Sequence, residues 1–230
     1  RVLLEDDWAL LGLRLGVLPL HRRAYKVASR PGSLKPPVAY CLALLAAPAP
    51  GAVVLDLACG AGTILVEAAA LASSGVVCGG DLDPSALEIA QANLQAAGIP
   101  VELTELSAGF DPRRLVVANN TEQPRALLYQ GDATDLRLAD HTVNVVLSNL
   151  PWGKQVTPET DLAPLYRGIL ITIERVLARG GRAVLLTDQA EPLLAALDAC
   201  PALSLASALQ ISLYGRHPTM YVLHRVSSGE

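Results

Sequence analysis

The chain has 230 residues, 51% of them hydrophobic and only 4% aromatic, with a mean hydropathy of +0.36 and a formal net charge of −4. That length suffices for one full α/β domain with a sizeable core, and the apolar content excludes a disordered chain. The longest uncharged run, residues 36–55, is interrupted by Pro36, Pro37, Pro48 and Pro50, leaving too little apolar chain to cross a bilayer, and no signal peptide is recognisable.

The charge is uneven. Residues 8–55 carry six bases (Arg14, Arg22, Arg23, Lys26, Arg30, Lys35) and no acid, whereas residues 56–230 carry eleven bases against nineteen acids. A basic stretch on an acidic body suits phosphates, or is a solvated linker. Residues 1–35 read as a basic linker left from an upstream region, because the chain opens on Arg1 rather than Met, and residues 36–230 read as the domain proper. Cys41, Cys59, Cys78 and Cys200 lie far apart without a C-x-x-C pair, which argues against a zinc site and suits a reducing cytoplasm.

In chain order, residues 8–13 and 15–20 are strand-like. Ser33 is placed as the N-cap of a helix reaching about residue 47, with Pro36 and Pro37 in its first turn. A strand over 52–57 precedes a helix over 63–73. A second strand over 76–80 ends at Asp81, and Asp83-Pro84 opens a helix over 85–97 that Gly98 closes. Such alternation predicts a parallel sheet with right-handed crossovers. Residues 99–124, with Asp111-Pro112, Asn119-Asn120 and Pro124, break the rhythm and read as an insertion, a long loop or a hairpin.

The alternation resumes with a strand over 126–130, ending at Gly131-Asp132, and another over 143–148, followed by Asn149-Leu150-Pro151-Trp152-Gly153. A helix over 162–177 stops at Gly180-Gly181, and a strand over 182–187 leads to a helix over 191–199. Residues 205–213 and 220–226 are joined over 214–218 without a helix, which allows only an antiparallel pair. The predicted fold is therefore α/β: a Rossmann-like, mostly parallel sheet with helices on both faces and a C-terminal antiparallel hairpin. That is the class I methyltransferase arrangement rather than the NAD-type one.

Chemistry is expected around residues 53–67, a strand, a glycine-rich loop and a helix. Gly60 and Gly62 let the backbone pass close to a ligand, and the helix that follows offers unpaired N–H groups. Asp56, Asp81 and Asp132 end three successive strands, where ligands of open parallel sheets bind. Asp81 is placed to take both ribose hydroxyls, and Asp132 to accept from an adenine amino group. The loop lacks the third glycine of G-x-G-x-x-G and any pyrophosphate grip, which favours S-adenosylmethionine over a dinucleotide.

The second constellation is Asn149-Leu150-Pro151-Trp152. Pro151 stiffens the loop and cannot donate, so its carbonyls are expected to face outward. The Asn149 side-chain oxygen and the Leu150 carbonyl then accept from a planar exocyclic amine, and Trp152 offers a ring face to a base turned out of its helix. The competing reading is a turn with a core tryptophan. His21, His141, His217 and His224 have no metal or triad spacing. Lys154 and Arg216 read as solvated cations, and Tyr214 and Tyr221 as packing residues.

Residues 56–69, Asp-Leu-Ala-Cys-Gly-Ala-Gly-Thr-Ile-Leu-Val-Glu-Ala-Ala, resemble the Asp-Pro-x-Cys-Gly-Ser-Gly-Thr-x-x-Ile-Glu-Ala-Ala stretch of RNA methyltransferases that carry an N-terminal THUMP domain. The resemblance extends to 80–83, 131–133 and 148–153, and to His21-Arg22-Arg23-Ala24-Tyr25 with Leu34-Lys35-Pro36, spanning about 18–190. It implies S-adenosylmethionine-dependent methylation of the exocyclic N2 of a guanosine, with tRNA as the RNA partner. It places Asp56, Gly60, Gly62 and Thr63 at the methionine part of the cofactor, Asp81 at the ribose, and Asp132 at the adenine. Ala58, Leu82, Ala133 and Asn149 complete the cofactor set. Asn149, Leu150, Pro151 and Trp152 form the catalytic set, and no metal is implied. Leu57 stands where the family has proline, and 99–124 is longer than usual. Adenine-N6 methylation of RNA or DNA, an inactive RNA-binding module of the same fold, and a nicotinamide-dependent oxidoreductase are the alternatives.

Overall fold

The computed structural model describes residues 2–13, 19, 21–118, 123–152, 162–213 and 215–226. Its elements in chain order are β1 (Val2–Glu5), β2 (Trp8–Leu11), α1 (Pro36–Ala46), β3 (Val53–Asp56), α2 (Thr63–Ala69), β4 (Val76–Asp81), α3 (Pro84–Ala96) and β5 (Val101–Leu103). There follow α4 (Arg113–Ala118), β6 (Arg125–Gln130), β7 (Val143–Asn149), α5 (Leu162–Val176), β8 (Leu177–Thr187), α6 (Ala190–Leu197), β9 (Leu203–Gln210) and β10 (Thr219–Arg225). β1 and β2 pair as a separate antiparallel hairpin, and the other eight strands form one sheet in the order β5-β6-β4-β3-β7-β8-β10-β9. Neighbours from β5 to β8 are parallel, while β10 runs antiparallel to β8 and β9, the arrangement expected from the sequence.

The central strands are apolar over most of their length because helices cover both faces. Val53, Leu55, Cys78, Leu127 and Leu185 point into one core, whereas Val54, Val77, Leu128, Leu147 and Val184 point into the other. The first core is capped by α5, whose Leu162, Tyr166, Ile169, Leu170, Ile173 and Val176 recur at helical spacing and are all buried. The second lies under α1, α2 and α3. Asp83 caps α3, its carboxylate accepting from the Ser85 N–H at 2.9 Å.

Several local expectations are corrected. Ser33 does not cap α1: its hydroxyl accepts from the Arg30 N–H at 3.1 Å, and Lys35 holds the N-cap position with the two prolines in the first turn. Residues 99–124 are not a hairpin. They hold β5, which extends the parallel sheet beyond β6, and the short helix α4. Gly180-Gly181 does not stop a helix. α5 passes directly into β8, and Gly180, at φ 69°, lies inside that strand where its pairing with β7 shifts register. The strand expected over 15–20 falls largely outside the described residues, as do Arg14, Asn119, Asn120, Gly153, Lys154 and Tyr214.

From β3 the chain moves outward through β4 toward β6, then returns to β7 and proceeds to β8 on the other side. The switch point therefore lies between the carboxyl ends of β3 and β7, where an open parallel sheet leaves a crevice.

Candidate active site

Asp56 ends β3 at that switch point and is fully buried. Its Oδ1 accepts from the Ser148 hydroxyl of β7 at 2.9 Å and from the Ala58 N–H at 3.3 Å, while its Oδ2 has no hydrogen-bond partner among the described residues. Burial pushes the carboxyl up to about 7 against the pull of those donors. Asp81, at the end of β4, is bound differently: Oδ2 accepts from the Gly60 N–H at 2.9 Å and Oδ1 from the Asp83 N–H at 3.0 Å. The Cys59 N–H donates to the Gly80 carbonyl at 2.9 Å, so the glycine loop is laced to β4 from both sides. Burial and the nearby Asp56 carboxylate push the Cys59 thiol well above its ordinary range.

The loop needs its glycines for two reasons. Gly60 and Gly62 adopt φ of 52° and 69°, and a Cβ on Gly62 would sit 3.0 Å from that of Ala90 on α3. Gly80 makes room for Tyr129, whose ring would lie 2.6 Å from an added Cβ.

A cavity of about 460 Å³ opens over this floor, within the range of small-molecule sites. Asp56, Ala58, Gly60, Thr63, Asp81, Asn149 and Pro151, all expected from the sequence, line it. Gly62, Leu82, Asp132, Ala133, Leu150 and Trp152 do not. Asp132 is exposed, one strand further out, and its Oδ1 is taken by the N–H and hydroxyl of Thr134, both at 2.8 Å, in a turn. Leu82 is 65% exposed, and Ala133 packs against the core. Asp56 and Asp81 meet at the cavity, and Asp132 stands one strand further out.

The motif after β7 is anchored by Tyr166, which is fully buried on α5 and donates its hydroxyl to the Pro151 carbonyl at 2.7 Å. That carbonyl points into the protein rather than outward, which corrects the expectation for the loop. Leu150 is buried, its N–H bonded to the Leu186 carbonyl at 3.0 Å. Asn149 Oδ1 is buried, faces no hydrogen-bond donor among the described residues, and belongs to a side chain lining the cavity. Trp152 packs at the edge of the second core.

The fourth wall is Arg30, Pro31, Gly32, Ser33 and Leu34, from the stretch that the sequence reads as a basic linker. Residues 23–34 instead form a strap tied across the domain. Arg23 and Tyr25 reach Glu67 of α2 at 3.3 and 2.7 Å, Lys26 reaches the Thr63 hydroxyl at 3.2 Å, and Arg30 pairs with Asp83 at 2.8 Å. Asn93 of α3, fully buried, accepts from the Ala28 N–H at 3.0 Å. It also donates to the carbonyls of Ala28 and Ala61 at 2.9 and 2.8 Å, joining strap to glycine loop. Asn93→Ala strands those backbone groups and is expected to cost about 2–3 kcal/mol. Urea unfolding measures this, and a loss below about 1 kcal/mol would show that the strap closes without Asn93.

Comparison with known proteins gives the geometry its relatives. The family model UPF0020, described as RMKL-like, methyltransferase domain, matches residues 23–111 and 117–216. The chain is 33% identical over 227 residues to a tRNA (guanine(6)-N2)-methyltransferase of Thermus thermophilus, covering 98% of this chain and 60% of that protein. It is also 33% identical over 186 residues to the mouse U6 snRNA (guanine-N(2))-methyltransferase THUMPD2, covering 81% of this chain and 30% of that one. The crystal structure of TrmN from Thermus thermophilus superposes with a TM-score of 0.72 at 33% identity, over 95% of this chain and 57% of that one. The chain thus spans between about a third and three-fifths of these relatives.

Proposed function

We propose that this chain, which belongs to the UPF0020 family of RMKL-like methyltransferase domains, transfers methyl from S-adenosylmethionine to the exocyclic N2 of a guanosine in tRNA. The observation that carries the reading is that Asp56 and Asn149, which line one cavity, each hold a buried oxygen without a hydrogen-bond partner among the described residues: Asp56 Oδ2 and Asn149 Oδ1. A buried acceptor of this kind calls for a donor.

The residues present fit the cofactor. Asp56 Oδ2, once the carboxyl ionises, is an acceptor suited to an α-ammonium group, and the space beside Gly60, where an added Cβ would meet nothing within 4 Å, leaves room for the ligand against the loop. S-adenosylmethionine, when bound, supplies an electrophilic methyl group on a sulfonium. Asp81, each oxygen holding one backbone N–H, keeps a further lone pair on each for the ribose hydroxyls. Ala58, Gly60, Thr63 and the strap residues 30–34 enclose the remainder. In this reading the catalytic unit includes the strap from residue 23, supported by its bonds to Glu67, Asn93 and Asp83.

Asn149 Oδ1 accepts one N–H of the target amine, with the Leu150 carbonyl as second acceptor, turning the nitrogen lone pair toward the cavity. Rate enhancement is then proximity and orientation, without a covalent intermediate. The guanine reading is supported by the guanine-N2 activity named for both relatives above. Incubating the protein with unmodified tRNA and methyl-labelled S-adenosylmethionine, followed by nucleoside mass spectrometry, is expected to yield N2-methylguanosine. Methyladenosine would reassign the base, and no labelled nucleoside from the full-length protein would overturn the reading.

A further inference from the structure

Three segments far apart in sequence meet at the indole of Trp152. That residue follows β7; Asp188 follows β8; Arg216 lies in the connection between β9 and β10. The Arg216 guanidinium lies over the Trp152 ring, 5.6 Å from its centroid, and forms an ion pair with Asp188 at 3.0 Å. Asp188 is in turn held by the Gln189 side-chain amide at 2.9 Å. The Arg216 backbone is fixed as well: its N–H donates to the Leu213 carbonyl at 3.0 Å, and its carbonyl accepts from the Leu213 N–H at 2.9 Å.

An exposed ion pair contributes little, but the Asp188 side chain is only 14% exposed and needs a cation beside it. Trp152 has no comparable tie. Its Nε1 is buried with no hydrogen-bond partner among the described residues, so packing and the Arg216 plane set the tilt of the ring.

We infer that Arg216 is a positioning residue: anchored by Asp188, it fixes Trp152 and thereby the orientation of the 149–152 loop toward the target base. The inference rests on the proposed methyl transfer. It makes the C-terminal hairpin part of the site and replaces the expectation that Arg216 is a solvated cation.

The chain has two tryptophans, so a Trp8→Phe protein reports on Trp152 alone. In that background Arg216→Ala is expected to make Trp152 emission more accessible to acrylamide. It is also expected to lower kcat for tRNA methylation about five- to thirtyfold while S-adenosylhomocysteine affinity stays within about twofold. Arg216→Lys keeps the charge opposite Asp188 but loses the plane, and should recover part of kcat. If Arg216→Ala does not fold, Asp188→Asn releases the guanidinium at constant shape and should move quenching and kcat in the same direction. Unchanged quenching overturns the inference, as does parental kcat in both Arg216 variants. If the full-length protein methylates no tRNA, the functional reading fails, while the quenching comparison still decides whether Arg216 holds Trp152.

Discussion

Replacing Asn149 by alanine is expected to lower the rate of methyl transfer by about 10²–10³-fold and leave the melting temperature within about 2 °C of the parent. The two halves of this result have one cause. Asn149 lines the cavity, and its Oδ1 is buried without a donor among the described residues. Nothing in the fold depends on that oxygen, and removing a buried acceptor that holds no bond relieves a desolvation cost rather than breaking a contact. The chemistry depends on it because the amine must be held with its lone pair along the line of attack. Single-turnover rates beside thermal melts provide the comparison. A variant that keeps more than about a tenth of the parental rate would remove Asn149 from the mechanism.

Asp56 gives the second large effect, in stability and with a defined pH sign. Its carboxyl is pushed up to about 7 from an ordinary 3.8, burial outweighing the hydrogen bonds from Ser148 and Ala58. The folded protein therefore keeps a proton that the unfolded chain gives up once pH exceeds 3.8. The stabilisation from this proton is complete below that value and is lost as pH rises through about 7. Asp56→Asn removes the ionisation, so the stability of the ligand-free variant relative to the parent should rise by roughly 3 kcal/mol between pH 5 and pH 8.5. Other titrating groups cancel in the difference between the two proteins. Parallel denaturant titrations at the two pH values measure it, and a difference that does not grow with pH would mean the buried anion is already compensated. The same substitution should weaken cofactor binding, since it replaces the acceptor aimed at the ammonium group.

The strands that build the site were legible because each is a short apolar run between turn residues. β3, β4, β6 and β7 are buried on both faces, which leaves a continuous hydrophobic signal, and the acids and glycines at their ends are local features. β5 was not legible. It is three residues long, with Glu102 and Leu103 exposed, so it carries neither length nor periodicity. The glycines at 180 and 181 suit a helix stop and a strand irregularity equally, and only pairing with β7 decides between them. The ties of the strap are not legible for a different reason. Its cations look solvated because the carboxylates that hold them, Glu67 for Arg23 and Asp83 for Arg30, lie 44 and 53 residues away. Asn93 likewise looks like an ordinary polar helix residue until the fold brings Ala28 and Ala61 to it. Asp132 shows the converse: a strand-end acid in the right sequence position whose Oδ1 is engaged by its own turn.

The placement of Cys59 governs how the protein tolerates oxidants. Its sulfur sits in the middle of the glycine loop, yet it is 6% exposed and its thiol is pushed well above the range in which thiolate forms at neutral pH. Thiolate is the species that peroxides and alkylating agents attack. Cys78 and Cys200 are also buried, whereas Cys41 on α1 is exposed. Mild oxidation is thus expected to fall first on Cys41 at the outer surface of α1 rather than on the loop beneath the cavity.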